Sequence, residues 1–254
     1  MTYEKMTSGL ANTHSRLKLP ILALAFICAS SLQATILVQY DMENASNRDA
    51  TSTEVSGLSA SDLTLNNLNA SGITTPSGSS DVFRTIISAY AGGTTAGEAL
   101  TEGAGATGTY FYLTITPDAL KSISLTSISF DTFAATGGPS TRQVYLFSDK
   151  TGITDGDELI SASTVSGSPL IPYNSTATGQ NFSLDLSGIS AFQNISDSVN
   201  FRFYTQTPTA SQGIAFDDIT IEGSVNTIPE PSSYALFCLT GMAFLLFRSR
   251  RQIK

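Results

Sequence analysis

The side chains that could do chemistry between residues 35 and 228 are almost all carboxylates. The chain has one histidine, His14, and two cysteines, Cys28 and Cys238, so this stretch contains neither residue type. Their absence excludes a Ser-His-Asp triad, a Cys-His pair, a histidine zinc site and a thiol redox centre there. A P-loop and a dinucleotide-binding glycine fingerprint are also absent. Carboxylates leave two kinds of chemistry open, namely glycoside cleavage by paired acids and binding of a hard cation.

The same stretch is strongly acidic, with 19 Asp and Glu residues against 6 Lys and Arg residues, a net charge of −13. Nucleic-acid binding requires clustered cations, so we expect no nucleic-acid partner. No pair of carboxylates stands apart from the others by its spacing. The prediction is therefore a non-catalytic protein, with a carboxylate-dependent glycoside hydrolase as an alternative.

One group of acidic residues lies close together in residues 148–158. Its spacing does not match an EF-hand, in which oxygen ligands alternate around a central glycine. A hairpin loop capped by Asp and Gly is the preferred interpretation. The acids of this group are Asp149, Asp155, Asp157 and Glu158.

Period-2 alternation of apolar residues predicts strands through residues 35–225. In residues 109–116, Phe111, Leu113 and Ile115 share one face, and Tyr110 and Tyr112 share the other. Residues 142–148 form a continuous apolar and aromatic run, and residues 198–205 alternate again. Weaker candidates are residues 36–40, 62–65, 82–88, 159–164 and 182–186.

In two segments the alternating apolar positions change parity, that is, they switch between odd and even residue numbers. In residues 122–131 the apolar positions shift register between Leu125 and Ile128, which predicts two short strands or one bent strand. In residues 213–223 the shift follows Asp217 and Asp218, which predicts a bulged strand.

Eight to ten short strands without sustained helical periodicity predict an all-β fold, a jelly-roll-like β-sandwich over residues 35–225. Residues 89–107, rich in Gly, Ala and Thr, are expected to form a long loop. The tyrosines could serve as sugar-binding platforms, although alternation suggests that most of them cover a sheet.

Residues 215–222 are similar to the last strand of many carbohydrate-binding jelly rolls. In that family an Asp of this strand and an acidic residue of the first strand hold a structural calcium ion. The resemblance implies Ca²⁺ ligands at Asp217 and at Glu43 or Asp41, since first and last strands are often adjacent in a sandwich. The alternative is a bulged strand whose acids are solvated.

Residues 1–34 are predicted to be a signal peptide, with a basic n-region ending at Lys18 and an apolar h-region at residues 19–28. Cleavage after Ala34 meets the requirement for a small residue at the cut. An uncleaved anchor is the alternative. Ile27 is too bulky for lipoprotein processing at Cys28.

Residues 228–254 combine three parts: Pro229-Glu230-Pro231, an apolar segment at residues 234–247, and the basic residues Arg248, Arg250 and Arg251. The two prolines fix an extended peptide that a processing enzyme can grip. The apolar segment is predicted to be a membrane helix, and the arginines to stop its translocation. Its shortness suits temporary rather than permanent retention.

This tail resembles the PEP-CTERM sorting signal of Gram-negative bacteria. The resemblance implies an exosortase as partner and export through the inner membrane to the cell surface or extracellular matrix. It implies nothing about the domain before it. That domain is expected to bind calcium or polysaccharide, and a dedicated carbohydrate-binding module is the nearest alternative.

Overall fold

Alternating apolar and polar residues form thirteen strands in the part of the chain that the structure describes. This computed structural model describes residues 34–42, 51–66, 68–69, 83–87, 95–101, 110–136, 142–160, 170–171, 180–206, 213–229 and 240. All of them lie in one compact unit, Gln33–Lys254. The strands are β1 (Thr35–Tyr40), β2 (Thr53–Glu54), β3 (Leu58–Ala60), β4 (Thr64–Asn66), β5 (Leu68–Asn69), β6 (Phe83–Ile87), β7 (Tyr110–Pro117), β8 (Lys121–Thr136), β9 (Arg142–Ser148), β10 (Leu170–Ile171), β11 (Gln180–Asp185), β12 (Val199–Gln206) and β13 (Gly213–Thr227). A short helix, α1 (Ala96–Thr101), and a 3-10 helix, Ser190–Phe192, lie between strands.

The strands form two antiparallel sheets. Sheet A has the order β11-β8-β13-β1-β2, with β6 also paired to β13 and β5 paired to β6. Sheet B has the order β10-β9-β12-β7-β3, with β4 also paired to β7. The first and last strands are neighbours, as predicted, because β1 pairs with β13 from Thr35 opposite Gly223 to Tyr40 opposite Ile219.

One apolar core joins the two sheets. Phe111 and Phe203 of sheet B stack with their ring centroids 4.6 Å apart. Phe216 of sheet A meets Phe111 edge-on at 4.8 Å, and Phe130 of sheet A meets Phe203 at 5.2 Å. Such pairs stabilise a fold by about 0.5–1.5 kcal/mol beyond their area burial. These contacts confirm the predicted all-β sandwich.

The predicted alternation is confirmed in both central strands of sheet B. In β7 the exposure alternates along the strand, and Phe111, Leu113 and Ile115 are fully buried. In β12 the side chains of Val199, Phe201 and Phe203 are fully buried on the same inner face.

The predicted bulge in β13 is confirmed at the expected residues. Asp217 lies opposite Asp131, but Thr220 lies opposite Ser129, so β13 contains one extra residue. Asp218 has φ +48°, a left-handed conformation that Asp tolerates better than most residues.

The parity change in residues 122–131 is a bulge within one continuous strand, β8, rather than a break between two strands. Glu222 lies opposite Ser127 and Gly223 opposite Leu125, which leaves Thr126 as the extra residue. A Cβ atom on Gly223 would lie 2.2 Å from the Ser124 carbonyl oxygen, so this close approach requires glycine.

Two expectations need correction. Residues 89–107 do not form a loop throughout, because α1 lies within them. Thr95 and Glu98 form a capping box: the Thr95 N–H donates to Glu98 Oε2 at 2.9 Å, and the Glu98 N–H donates to Thr95 Oγ1 at 3.2 Å. The strand expected at 159–164 is a single bridge between Ile160 and Leu146, and 161–164 lie outside the described residues.

The predicted terminal helices lie outside the described residues, apart from Ala34 and Thr240. Among the described ranges, no helix is long and apolar enough to cross a membrane. Strand β13 continues past the predicted domain end at residue 225 and stops at Thr227. The Ile228 N–H then donates to the Leu120 carbonyl oxygen at 2.8 Å.

Candidate functional site

The outer face of sheet B, directed away from the shared core, is rich in aromatic and polar side chains. Alternation places every second residue of β7, β9 and β12 on this face. Tyr204 lies opposite Tyr110 on one side and Tyr145 on the other, and Arg202 lies between Tyr112 and Phe147 in the same way. The residues on this face of the three strands include Tyr110, Tyr112, Thr114, Tyr145, Phe147, Asn200, Arg202 and Tyr204.

Helix α1 covers one half of this face. Ala96 and Ala99 pack with Tyr145, Phe147 and Tyr204 in a second apolar cluster, separate from the sandwich core. We call Tyr145, Phe147 and Tyr204 the covered half. Their burial explains why β9 is a continuous apolar run in the sequence, since its side chains are buried on both faces.

Burial in the covered half changes the ionisation of its tyrosines. It raises the pKa of Tyr145 to about 12, and the carboxylates of Glu98 and Glu158 add to this rise. Burial also raises the pKa of Tyr204, although a hydrogen bond from Arg202 acts in the opposite direction. Both phenols therefore remain neutral at physiological pH and act as packing groups.

The other half of the face keeps partly accessible side chains. We call Tyr110, Tyr112, Thr114, Asn200 and Arg202 the open half; each of them is half-buried. The rings of Tyr110 and Tyr112 are 6.1 Å apart and tilted by 50°. Their tilt and partial exposure give an uneven aromatic surface beside a polar group.

Arg202 is held in place by its neighbours. Its Cζ atom lies 5.2 Å from the Tyr110 ring centroid, within cation-π range. Its Nε–H donates to Asn200 Oδ1 at 3.2 Å, and Asn200 Nδ2 in turn donates to Thr114 Oγ1 at 2.9 Å. A guanidinium group carries five N–H donors in a fixed plane, so donors remain for a ligand.

No described carboxylate forms an ion pair with Arg202; Lys150 and Asp197 form an ion pair elsewhere, with Nζ and Oδ2 2.8 Å apart. The open half thus combines the Tyr112 ring, which can pack against the apolar face of a sugar ring, with fixed donors for hydroxyl or carboxylate oxygens. The Tyr110 ring supports Arg202 and packs against the covered half, with its centroid 4.7 Å from that of Tyr204. Binding sites for polar organic ligands have this composition. Sequence reasoning considered the tyrosines but missed Asn200 and Arg202, which alternation with Val199, Phe201 and Phe203 could have placed beside them.

The acidic residues of the β13 bulge form a second candidate site. Asp217 is only 9% exposed, and one of its carboxylate oxygens accepts the Asp218 N–H at 3.0 Å. Asp131 lies opposite and accepts Asn181 Nδ2 at 2.7 Å. Burial, followed by the nearby charges of Asp131 and Asp41, raises the pKa of Asp218.

The structure brings Asp41 near this bulge through the pairing of β1 with β13, whereas Glu43 lies outside the described residues. Within those residues, no group of three or more His, Cys, Asp or Glu side chains could hold a metal ion. The calcium pair Glu43 and Asp217 therefore stays a prediction.

The acidic loop after β9 is the capped hairpin loop that its residues predict. Asp149 Oδ1 accepts the Asn200 N–H at 2.7 Å, and Asp157 Oδ2 accepts the Thr154 N–H at 3.2 Å. Gly152 has φ +121°, and a Cβ atom there would lie 2.2 Å from Asp157 Oδ2. Asp157 thus holds the loop together by accepting one of its own N–H groups, and Asp149 ties the loop to β12.

The predicted sorting residues follow the last strand directly. Pro229 is exposed and comes immediately after Ile228, the residue bonded to Leu120. The other predicted sorting residues, Glu230, Pro231, Arg248, Arg250 and Arg251, lie outside the described residues.

Comparison with solved structures finds carbohydrate-binding modules among the neighbours. The CBM22-1 xylan-binding domain of Paenibacillus barcinonensis Xyn10C is 11% identical, with a TM-score of 0.35 over 76% of this chain and 96% of that one. The mannan-recognising module TmCBM27 is 8% identical, with a TM-score of 0.35 over 76% and 99%. The K1 cleaved adhesin domain of Lys-gingipain from Porphyromonas gingivalis W83 is 14% identical, with a TM-score of 0.30 over 76% and 99%. At these identities and TM-scores the likeness carries no argument about function.

No curated protein matches the chain. A family model described as the PEP-CTERM protein-sorting motif matches residues 227–251. The matched range contains the proline pair, the apolar segment and all three predicted arginines. It begins at Thr227, the last residue of β13. The chain therefore carries a PEP-CTERM protein-sorting motif at its C-terminal end.

Proposed function

We propose that the chain is an exported, non-catalytic protein that an exosortase sorts to the cell surface or extracellular matrix, and that the open half binds polysaccharide. The motif match at residues 227–251 supports the sorting part. In this proposal the enzyme recognises Pro229, Glu230 and Pro231, and the apolar segment at 234–247 holds the chain in the membrane. Arg248, Arg250 and Arg251 stay on the cytoplasmic side.

Sorting is tested by ending the chain after Ile228, which keeps β13 and its bond to Leu120 intact. We expect this truncated protein to be released rather than retained at the surface. A matched variant, Pro229→Ala with Pro231→Ala, keeps the apolar segment and is expected to remain unprocessed in the inner membrane. Fractionation that finds both variants where the unaltered protein resides would contradict sorting by this motif.

The observation that carries the polysaccharide proposal is the open half. Its tyrosines are partly accessible, and Arg202 is fixed by Tyr110 and Asn200 without a carboxylate partner among the described residues. A purely structural cover would resemble the covered half, where apolar contacts with α1 bury the rings. Preorganised donors beside aromatic rings reduce the entropy lost when a sugar chain is ordered on the surface.

Polysaccharide binding is tested by pull-down with polysaccharide purified from the cell envelope. We expect saturable binding by the unaltered protein and weak binding by Tyr112→Ala. Ile36→Ala is the matched control, because Ile36 is 39% exposed on sheet A, far from the open half in sequence and pairing. Equal capture of all three proteins would contradict a site on the open half.

The glycoside hydrolase alternative predicts release of new reducing ends from the same polysaccharide. A non-catalytic protein releases none. Hydrolysis that a single Asp or Glu substitution abolishes would replace the binding proposal with an enzymatic one.

We further propose a structural Ca²⁺ ion held by Glu43 and Asp217. Support comes from the β1–β13 pairing, from the burial of Asp217, and from the crowding of Asp218 with Asp131 and Asp41, which a cation would relieve. A chelator is expected to lower the melting temperature, and Asp217→Ala to remove that shift. Asp185→Asn, an exposed acid elsewhere, should preserve it. A melting curve that the chelator does not change would contradict the ion.

A further inference from the structure

The sorting segment leaves the sandwich beside two exposed apolar side chains. Leu120 is 51% exposed and Ile228 is 38% exposed. The Ile228 N–H donates to the Leu120 carbonyl oxygen at 2.8 Å, which holds the two residues side by side. We call Leu120 and Ile228 the tip. Among the residues whose side-chain exposure is described, Ile36 is the other large apolar residue with comparable exposure, at 39%.

Leu120 occupies an unfavourable backbone conformation. It is the third residue of a tight turn, closed by the Lys121 N–H donating to the Asp118 carbonyl oxygen at 3.0 Å, and its φ is +62°. Glycine or asparagine takes this position at lower cost, and a bulky side chain there is an outlier. Folding stability therefore does not favour leucine at this position, which is both strained and exposed.

The sequence places this tip close to the membrane segment. A hydrogen bond ties Ile228 to the sandwich, and the apolar run begins six residues after it, at Tyr234. Even fully extended, this connection spans at most about 20 Å. The far end of sheet A lies much farther away, since Asn181 pairs with Asp131, ten residues along β8 from Lys121.

We propose that the tip inserts into the outer leaflet of the inner membrane while the chain is held by its sorting segment. The inference rests on the proposed membrane retention of residues 234–247. The occupant is the bilayer because the connection, at most about 20 Å long, holds this end of the sandwich beside the membrane surface, where its two exposed apolar side chains can reach the lipid. Lys121 and Asp118 flank Leu120 with opposite charges, so headgroup charge gives little net attraction and the apolar side chains provide the contact.

Probe depth in vesicles tests this inference. The exported chain, residues 35–254 with Cys238→Ala, is reconstituted into vesicles of phosphatidylethanolamine and phosphatidylglycerol. A small fluorophore is attached at Leu120→Cys, and nitroxide-labelled lipids quench it. We expect the fluorophore at position 120 to lie ~5–10 Å below the headgroup boundary. A fluorophore at Ser183→Cys, an exposed position on β11, should remain in water.

Two further measurements test whether the apolar side chains of the tip, and not the fluorophore, cause the insertion. The same fluorophore at Ile36→Cys tests whether the label itself drives insertion, because Ile36 is as exposed as Ile228 but lies on β1. Leu120→Asn should keep the melting temperature equal or higher, since Asn tolerates the left-handed conformation. The same substitution should make a fluorophore at Ile228→Cys shallower.

The outcomes distinguish the tip from the sorting proposal. A chain that floats with vesicles and shows quenching at position 120, but not at 36 or 183, supports the tip. A chain that floats while position 120 remains in water overturns the tip alone. A chain that does not float contradicts membrane retention itself and overturns the tip with it.

Discussion

The covered and open halves of the outer face of sheet B come from the same strands and the same alternation, yet they differ in what lies above them. In the covered half, Ala96 and Ala99 of α1 bury Tyr145 and Phe147 as a second apolar core. In the open half, Tyr112 stays partly accessible beside a fixed guanidinium group. Whether an aromatic residue on this outer face is buried or accessible therefore depends on its cover and not on its type.

The largest effect on stability should come from removing a buried aromatic ring from the covered half. Phe147→Ala removes a fully buried ring, and we expect it to lower the free energy of unfolding by about 3–5 kcal/mol. Tyr112→Ala, in the open half, should cost less than about 1 kcal/mol. Denaturant titration of both variants measures this contrast. Similar losses in the two variants would show that the halves do not differ in packing.

The next largest effect should appear on alkaline titration, as late ionisation of the buried phenols. Burial raises the pKa of both Tyr145 and Tyr40 to about 12, above the ordinary value of 10.0. A raised folded-state pKa gives stability that is fully present below pH ~10 and is lost as the pH rises toward ~12. The fully buried Tyr40 should account for about 2–3 kcal/mol across this window, and Tyr145 for less because solvent screens part of its surroundings.

Phenolate absorbance provides the measurement, with unfolding followed in parallel by circular dichroism. Tyr145→Phe should remove one late-ionising group without changing the rest of the titration. If all tyrosines of the folded protein ionised together near pH 10, water would not be excluded from the covered half.

A smaller loss of stability is expected from weakening helix α1, which covers this half. Thr95→Ala breaks the capping box with Glu98 and should cost about 1 kcal/mol, concentrated in α1. Hydrogen exchange should accelerate in α1 while the strands keep their protection. Exchange that accelerates equally in β8 and β13 would mean that α1 is part of the main cooperative unit rather than a separate cover.

Local patterns in the sequence predicted most of the sandwich. Alternation identified the inner faces of β7 and β12, and the parity change at Asp217 and Asp218 located a bulge to the residue. These features depend on neighbours along the chain. The sorting motif was recognisable for the same reason, since its three parts are contiguous.

The division of the outer face could not be predicted in this way. A six-residue helix is too short for helical periodicity, although Thr95 and Glu98 carried the capping signal. Which tyrosines α1 covers depends on long-range packing that alternation does not contain. Alternation could have placed Arg202 on the outer face, but its contact with the Tyr110 ring depends on the pairing of β12 with β7, which is a long-range feature.

The claim that the open half is the polysaccharide-binding surface is best tested by calorimetric titration with polysaccharide purified from the cell envelope. The unaltered protein should bind saturably, and Tyr145→Phe in the covered half should bind equally well. Tyr112→Ala should bind about tenfold more weakly, a loss of about 1.4 kcal/mol, while its unfolding midpoint stays nearly unchanged. Unchanged affinity in a folded Tyr112→Ala protein would contradict the claim.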